Sequence, residues 1–300
     1  MTQGNSQSES ISRPRVWLLG IRPRTLTMAA VPVAVGAALA WAQGSGIDQL
    51  TFTATMACAI LIQIGTNLFN DASDGQQGAD GPDRLGPLRI TGAGLATVRQ
   101  VRQAAFISFA LALAAGIHLV AVGGVFILAI GLASLVAGYA YSSGPRPLSY
   151  GPWGEAYVIG FFGIIAVAGS YYLQSQQLPD LAVVLTGIAI GCPAAAVLLV
   201  NNLRDLDADT RAGRRTLAAR IGADAARWLY ALLMLAPYPL VVAALGWRHS
   251  SIALLALPLS AWLIVTFWQP AAGPAMNQQL ARTAVCQAVI GVLLLIALLR

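Results

Sequence analysis

A chain of 300 residues with 57% hydrophobic and only 10% charged side chains is not a soluble globular protein, in which charged residues make up about a quarter. Its net charge of +6 is carried by arginine alone, since there is no lysine, and follows the loops rather than one basic face, which argues against nucleic-acid binding. What remains is an all-α polytopic membrane protein folded as one unit.

The Ser, Gln, Asn and Gly-rich start, residues 1 to 13, predicts a disordered tail; 1–20 are set apart as cytoplasmic tail and 21–300 as the membrane domain. The first apolar run, from Thr25 to Gln43, contains Ala38-Leu39-Ala40, which mimics a cleavage site, but it exceeds the roughly 7 to 15 residues of a signal core and reads as a retained helix. Further runs fall at about 51 to 69, 104 to 122, 124 to 142, 155 to 173, 181 to 200, 228 to 246, 251 to 268 and 283 to 299, each near the roughly 20 residues that cross a bilayer. The expectation is nine transmembrane helices, with a tight hairpin at Gly123-Gly124.

Positively charged loops stay in the cytoplasm. With the N-terminus inside, only Arg248 and the terminal Arg300 fall on the outer side, so the chain is expected in the inner (cytoplasmic) membrane with its C-terminus outside. Among ionisable residues the spans hold His118, near an outer end, which reads as a hydrogen-bonded structural residue. Cys58, Cys192 and Cys286 have no CxxC spacing and read as small buried hydrophobes. Proton and ion pathways place ionisable groups within the membrane, so charge confined to one rim makes a cation-coupled transporter the lesser reading, and a structural scaffold lesser still.

Seven of the twelve acids lie in two windows on the inner side. The first is expected to be a loop, opening Asn67-Leu68-Phe69-Asn70-Asp71-Ala72-Ser73-Asp74 and running to Asp80, Asp83 and Arg84; the second opens Asn201-Asn202-Leu203-Arg204-Asp205 and adds Asp207 and Asp209. Asn70 stands four residues before Asp74 as Asn201 stands four before Asp205. Hard anionic oxygens in two matching places point to Mg²⁺ shared with an anionic substrate. Asp205-x-Asp207-x-Asp209 is not a calcium loop, because Thr210 replaces its glycine and Thr216 its closing glutamate. A diphosphate neutralised by metal and arginine is a good leaving group. Asn70 and Asn201 would add neutral oxygens, and Arg146, Arg214 and Arg215 would contact phosphate. If an allylic cation is left behind, Tyr139, Tyr141, Tyr157, Phe161 and Phe162 are candidates for an aromatic, water-poor wall.

These residues resemble the UbiA superfamily of intramembrane aromatic prenyltransferases, and within it the 1,4-dihydroxy-2-naphthoate polyprenyltransferase (MenA-type) branch. The likeness rests on the two Asn/Asp motifs, on Arg22-Pro23-Arg24-Thr25-Leu26, on Asp80-x-x-Asp83-Arg84-Leu85-Gly86-Pro87-Leu88-Arg89, on Tyr141 through Leu148, and on Gly213-Arg214-Arg215-Thr216-Leu217. The resemblance implies a helical bundle around a central cavity, a metal-diphosphate cap and a lateral opening for the prenyl chain. It implies metal-diphosphate roles for Asn70, Asp71, Asp74, Asp80, Asp205 and Asp209, substrate contacts from Asn201, Arg84, Arg146, Arg214 and Arg215, and Arg22 on the aromatic side. Gly78 stands where the broader family has its third acid, leaving Asp80 or Asp83 to complete the shell, a spacing the naphthoate branch shares. The partners implied are a polyprenyl diphosphate, a dihydroxynaphthoate-like acceptor and the bilayer. The reaction implied is Mg²⁺-dependent prenylation with loss of CO₂ to a demethylmenaquinone-type product; 4-hydroxybenzoate, homogentisate or a chlorophyllide are the alternative acceptors.

Overall fold

A computed structural model of the chain describes residues 11–76, 86, 88–142, 147–211, 213–269 and 273–300. In lipid every backbone N–H and C=O must be satisfied internally, so a chain this apolar folds into helices, and all regular elements among the described residues are helical. Among the described residues seven continuous runs are long and apolar enough to cross a membrane: Pro23–Ala42, Gln49–Gln76, Val98–Tyr141, Gly154–Ser175, Leu181–Arg204, Ala223–Phe267 and Ala275–Leu298.

Two of these runs, of 44 and 45 residues, are twice the length a bilayer needs. Side-chain contacts show that both double back. The Phe69 ring meets Phe106 at 5.7 Å and Tyr139 at 5.3 Å, although on one straight helix Phe106 and Tyr139 would stand about 50 Å apart. Trp228 likewise meets Trp268 at 5.0 Å, and the Tyr238 and Ser260 hydroxyls share a hydrogen bond of 2.6 Å. The bends fall at Gly124 (φ 64°) and Gly246 (φ 71°), in the left-handed region that glycine enters without steric cost. Where nine separate helices are expected, the described residues form seven continuous runs, two of which double back, with the first bend in the expected Gly123-Gly124 pair.

The tail does not extend to residue 20. Arg13–Ile21 is a helix whose Val16 joins Leu68, Phe69, Ile90 and Val101 in an apolar cluster. Arg22 (φ 56°) then turns the chain into Pro23–Ala42. Asn67 secures that turn, its amide donating to the Ile21 carbonyl at 2.8 Å and to Thr25 Oγ1 at 2.9 Å. Such a left-handed non-glycine persists only when its surroundings over-determine it.

The Leu181–Arg204 helix is the axis of the larger core, packing against Gly154–Ser175, Pro237–Ala253 and Pro274–Leu298. Lipid tails give no hydrophobic drive for two helices to associate, so small residues that let backbones approach take over. A Cβ built on Gly187 would lie 2.8 Å from Ile164 Cα, and one on Gly191 would lie 2.9 Å from Ile159 Cα. This contact holds the π-helical segment Ile159–Ile165, a wider turn that recurs at functional sites, against the axis. Replacing Gly191 by Leu should force the helices apart and cost about 1–3 kcal/mol, read as a lower melting temperature in detergent, whereas Gly160→Ala, at a position with open space, should change it little. Equal melting of the two variants would contradict this packing.

Candidate active site

The two acid windows are not loops along their whole length. Helix Gln49–Gln76 runs through the first motif, and helix Leu181–Arg204 carries Asn201 and Asn202 up to Asp205. Helical spacing therefore decides which side chains share a face. Thr55, Ala59, Gln63, Asn67, Asn70 and Asp74 form one stripe lining a cavity of about 860 Å³. From Thr55 to Asp74 that stripe rises about 28 Å, close to the thickness of a bilayer core. At its far end are Leu119 and Ile127, which flank the bend at Gly124; at its near end are the charged residues. An apolar chamber open to a charged mouth suits an amphiphile with an anionic head and a hydrocarbon tail.

At the mouth the two motifs meet. The Arg214 guanidinium donates to Asp74 Oδ1 at 2.9 Å and to Asp209 Oδ1 at 3.4 Å, with its carbon 4.5 Å above the Tyr150 ring. Asp74 also pairs with Arg89. Arg204, its side chain 1% exposed, forks onto both oxygens of Asp205 (2.8 and 2.5 Å) and reaches Asn201 Oδ1 and Asn277 Oδ1, each at 2.8 Å. Burial pushes the Asp209 carboxyl up to about 6, with Arg214 opposing the rise and Asp205 adding to it. Burial, with Arg22 nearby, likewise lowers the Arg89 guanidinium, while the Asp71 carboxylate opposes the fall.

Asn70, Asp74, Asn201, Asp205, Asp209, Arg22 and Arg214 all line this cavity. Asp80, Asp83, Arg84 and Arg146 lie outside the described residues. Arg215 is exposed and does not line the cavity, so of the adjacent pair it is Arg214 that enters. Asp71, expected among the metal ligands, is 1% exposed and turned elsewhere. Its oxygens accept from the Ile90 amide at 3.1 Å, the Thr91 amide at 3.0 Å and the Thr91 hydroxyl at 2.6 Å. One helical residue out of phase with Asn70 and Asp74, Asp71 instead anchors the segment that delivers Arg89. Tyr141, Tyr157, Phe161 and Phe162 line the cavity, and Tyr157 stacks on Phe161 at 4.5 Å. Tyr139 packs on Phe69 and is not in the lining. Arg89, Arg204, Tyr150 and Glu155 stand at or beside the site without a motif that marks a role for them; an acid opening an apolar run is the one sign of Glu155 in the sequence.

Among the described residues no group of three or more His, Cys, Asp and Glu could hold a metal by itself. The donors around the mouth nevertheless fit a hard divalent cation. They are carboxylates from both motifs joined by amide oxygens, and Asn70 Oδ1 is buried without a protein partner. Arg214 stands between Asp74 and Asp209 as a cation would, its charge taking the place of a metal's.

An apolar chamber within a helical membrane bundle, capped by two Asn/Asp motifs that face each other, defines the class of an intramembrane prenyl-transfer enzyme. The chain belongs to the UbiA prenyltransferase family, whose model matches residues 29–282. It is 40% identical over 233 residues to a 1,4-dihydroxy-2-naphthoate octaprenyltransferase of Escherichia coli (strain K12), covering 76% of this chain and 75% of that one. It is 38% identical to the enzyme of the same name from Mycobacterium tuberculosis, covering 81% and 83%. The fold matches a UbiA homolog from Archaeoglobus fulgidus bound to DMAPP and Mg²⁺ (TM-score 0.66, 16% identity, 94% and 98% covered). It also matches an apo UbiA homolog from Aeropyrum pernix K1 (TM-score 0.67, 15% identity, 90% and 97% covered).

Asp71→Ala would leave buried backbone donors unsatisfied and should cost about 2–3 kcal/mol of stability. The expected result is a melting temperature lowered by Asp71→Ala more than by Asp74→Asn, which leaves a shape-matched side chain at the open mouth. The reverse order would contradict a structural role for Asp71.

Proposed function

We propose that the protein transfers a polyprenyl group from its diphosphate to 1,4-dihydroxy-2-naphthoate, with loss of CO₂ and the help of Mg²⁺, to give a demethylmenaquinone-type product. One observation carries this reading: Arg214 ties Asp74 of the first motif to Asp209 of the second at the mouth of an apolar chamber. Two motifs far apart in the chain thus converge where one diphosphate would sit. The names of the naphthoate octaprenyltransferases among its relatives support the choice of acceptor.

Asn70, Asp74, Asp205 and Asp209, with Asn201 and one of Asp80 and Asp83, would hold Mg²⁺. Bound there, the metal supplies the charge neutralisation that lets a diphosphate leave. Arg214, joined by Arg84 and Arg146, would contact phosphate oxygens, and the guanidinium fork matches two of them at once. Tyr141, Tyr157 and Phe161 present π-faces to the allylic carbon as it loses its leaving group, and the apolar walls exclude the water that would otherwise trap the cation. Arg22, at the same mouth, faces the carboxylate of the acceptor. The electron-rich ring supplies the nucleophile, so no activated serine or cysteine is required. Because arginines crowd the rim that carries the motifs, this rim faces the cytoplasm, where diphosphates and magnesium are found.

Purified protein given the naphthoate, a polyprenyl diphosphate and Mg²⁺ should release one prenylated product, identified by mass spectrometry. Asp74→Ala and Asp205→Ala should each reduce the rate about 10²–10³-fold, the scale of losing a preorganised electrostatic contact. Full activity in both variants, or a preference for 4-hydroxybenzoate in an acceptor panel, would overturn the corresponding half of the reading. Cysteine placed at Asp207 should react with a membrane-impermeant thiol reagent only from the cytoplasmic face, and cysteine at Arg248 only from the opposite one; the inverse pattern would reverse the orientation.

A further inference from the structure

Glu155 is a buried acid that the chemistry above leaves without a task. It is 4% exposed and lies in the first turn of the Gly154–Ser175 run, where free backbone N–H groups favour a negative charge. The turn approaches the central helix closely because Gly154 has no side chain: a Cβ there would meet Leu198 Cδ2 at 3.0 Å. One helical turn beyond Leu198 is Asn202, whose Nδ2 donates to Glu155 Oε1 at 2.9 Å. Oε2 of the same carboxylate is buried with no protein partner.

A carboxylate can only accept, and an asparagine has one end that donates and one that accepts. Accepting through Oε1, Glu155 therefore selects between the two amide orientations of Asn202. It takes the NH₂ end and leaves the carbonyl oxygen as the end offered to the cavity, which Asn202 lines beside Asn201, three residues before Asp205. We propose that Glu155 is a positioning residue for the second motif, holding Asn202 with its carbonyl oxygen, and not its NH₂, toward the metal and diphosphate. This rests on the function proposed above. Without Glu155 the amide is free to rotate, and an N–H pointing at a cation replaces an oxygen.

The test uses full-length protein with two readouts. One is Mn²⁺ affinity in the presence of inorganic diphosphate, followed by electron paramagnetic resonance, which needs no turnover. The other is the prenylation rate as a function of metal and of acceptor. Glu155→Leu should weaken Mn²⁺ binding, and raise the metal concentration for half-maximal rate, by at least about tenfold, the scale of one lost hydrogen bond to a charged group. The KM for acceptor should stay within about twofold, because the acceptor side is untouched, and Glu155→Gln should stay within about threefold of wild type, because its carbonyl still accepts from Asn202. Asn202→Asp sets two carboxylates against each other and should lose metal affinity, and E155Q/N202D, which restores a donor between them, should recover most of it. That pair of variants decides the matter even if Glu155→Leu does not fold. Wild-type metal affinity in Glu155→Leu, or an Asn202→Asp defect that Glu155→Gln does not relieve, would overturn the proposal. A wild-type protein that binds Mn²⁺ with diphosphate but prenylates no acceptor would overturn the function instead, and the Mn²⁺ readout would still decide the role of Glu155.

Discussion

Like charges from distant parts of a chain do not gather in an apolar bundle unless cations hold them there, and at this mouth arginine does so. Asp74 is gripped by Arg89 and Arg214, Asp209 by Arg214, and Asp205 by Arg204. Each arginine comes from a different place: Arg89 from the segment after the first motif, Arg204 from the end of the central helix, Arg214 from the stretch after the second motif. The carboxylates are thus aimed before any substrate arrives, which is the condition for electrostatic stabilisation that costs no reorganisation during reaction. Lone carboxylates at this depth would take up protons, and Asp209, pushed up by burial to about 6, shows how near the balance lies.

The rest of the fold positions this mouth. The Asp71 contacts with Ile90 and Thr91 fix the segment that carries Arg89. The Asn67 amide fixes the turn that carries Arg22. The glycine contact between the π-helical segment and the central helix keeps Phe161 and Phe162 on the cavity side. Side chains that look like spare polar groups in a helical stripe are the struts of the site.

Much of this was legible in the residues alone, for identifiable reasons. Apolar runs of bilayer length announce membrane helices, and Gly123-Gly124 marked a bend because few other residues tolerate the backbone required there. The shared Asn-x-x-x-Asp spacing marked Asn70 with Asp74, and Asn201 with Asp205, as pairs that face the same way, since a four-residue step keeps both members of a pair on one side of a helix, and both pairs line the cavity. Asp71 was misassigned for the same reason in reverse: composition marks it as one more acid, and only helical phase turns it toward Ile90 and Thr91. Tyr139 and Tyr141 look equivalent in the chain, yet a two-residue step points them to different sides, one onto Phe69 and one into the cavity. Contacts between separate segments, such as Arg89 with Asp74 and Asn202 with Glu155, leave no local pattern to read.

The most direct measurement is a structure of the protein with Mn²⁺ and a non-hydrolysable prenyl diphosphate, using the anomalous signal of manganese to locate the metal. Density between Asp74 and the Asp205–Asp209 segment, with the diphosphate bridging the two motifs and the tail running toward Leu119 and Ile127, is the expected result. Metal bound by one motif alone, or a diphosphate lying outside the cavity, would contradict the convergence of the two motifs on one leaving group.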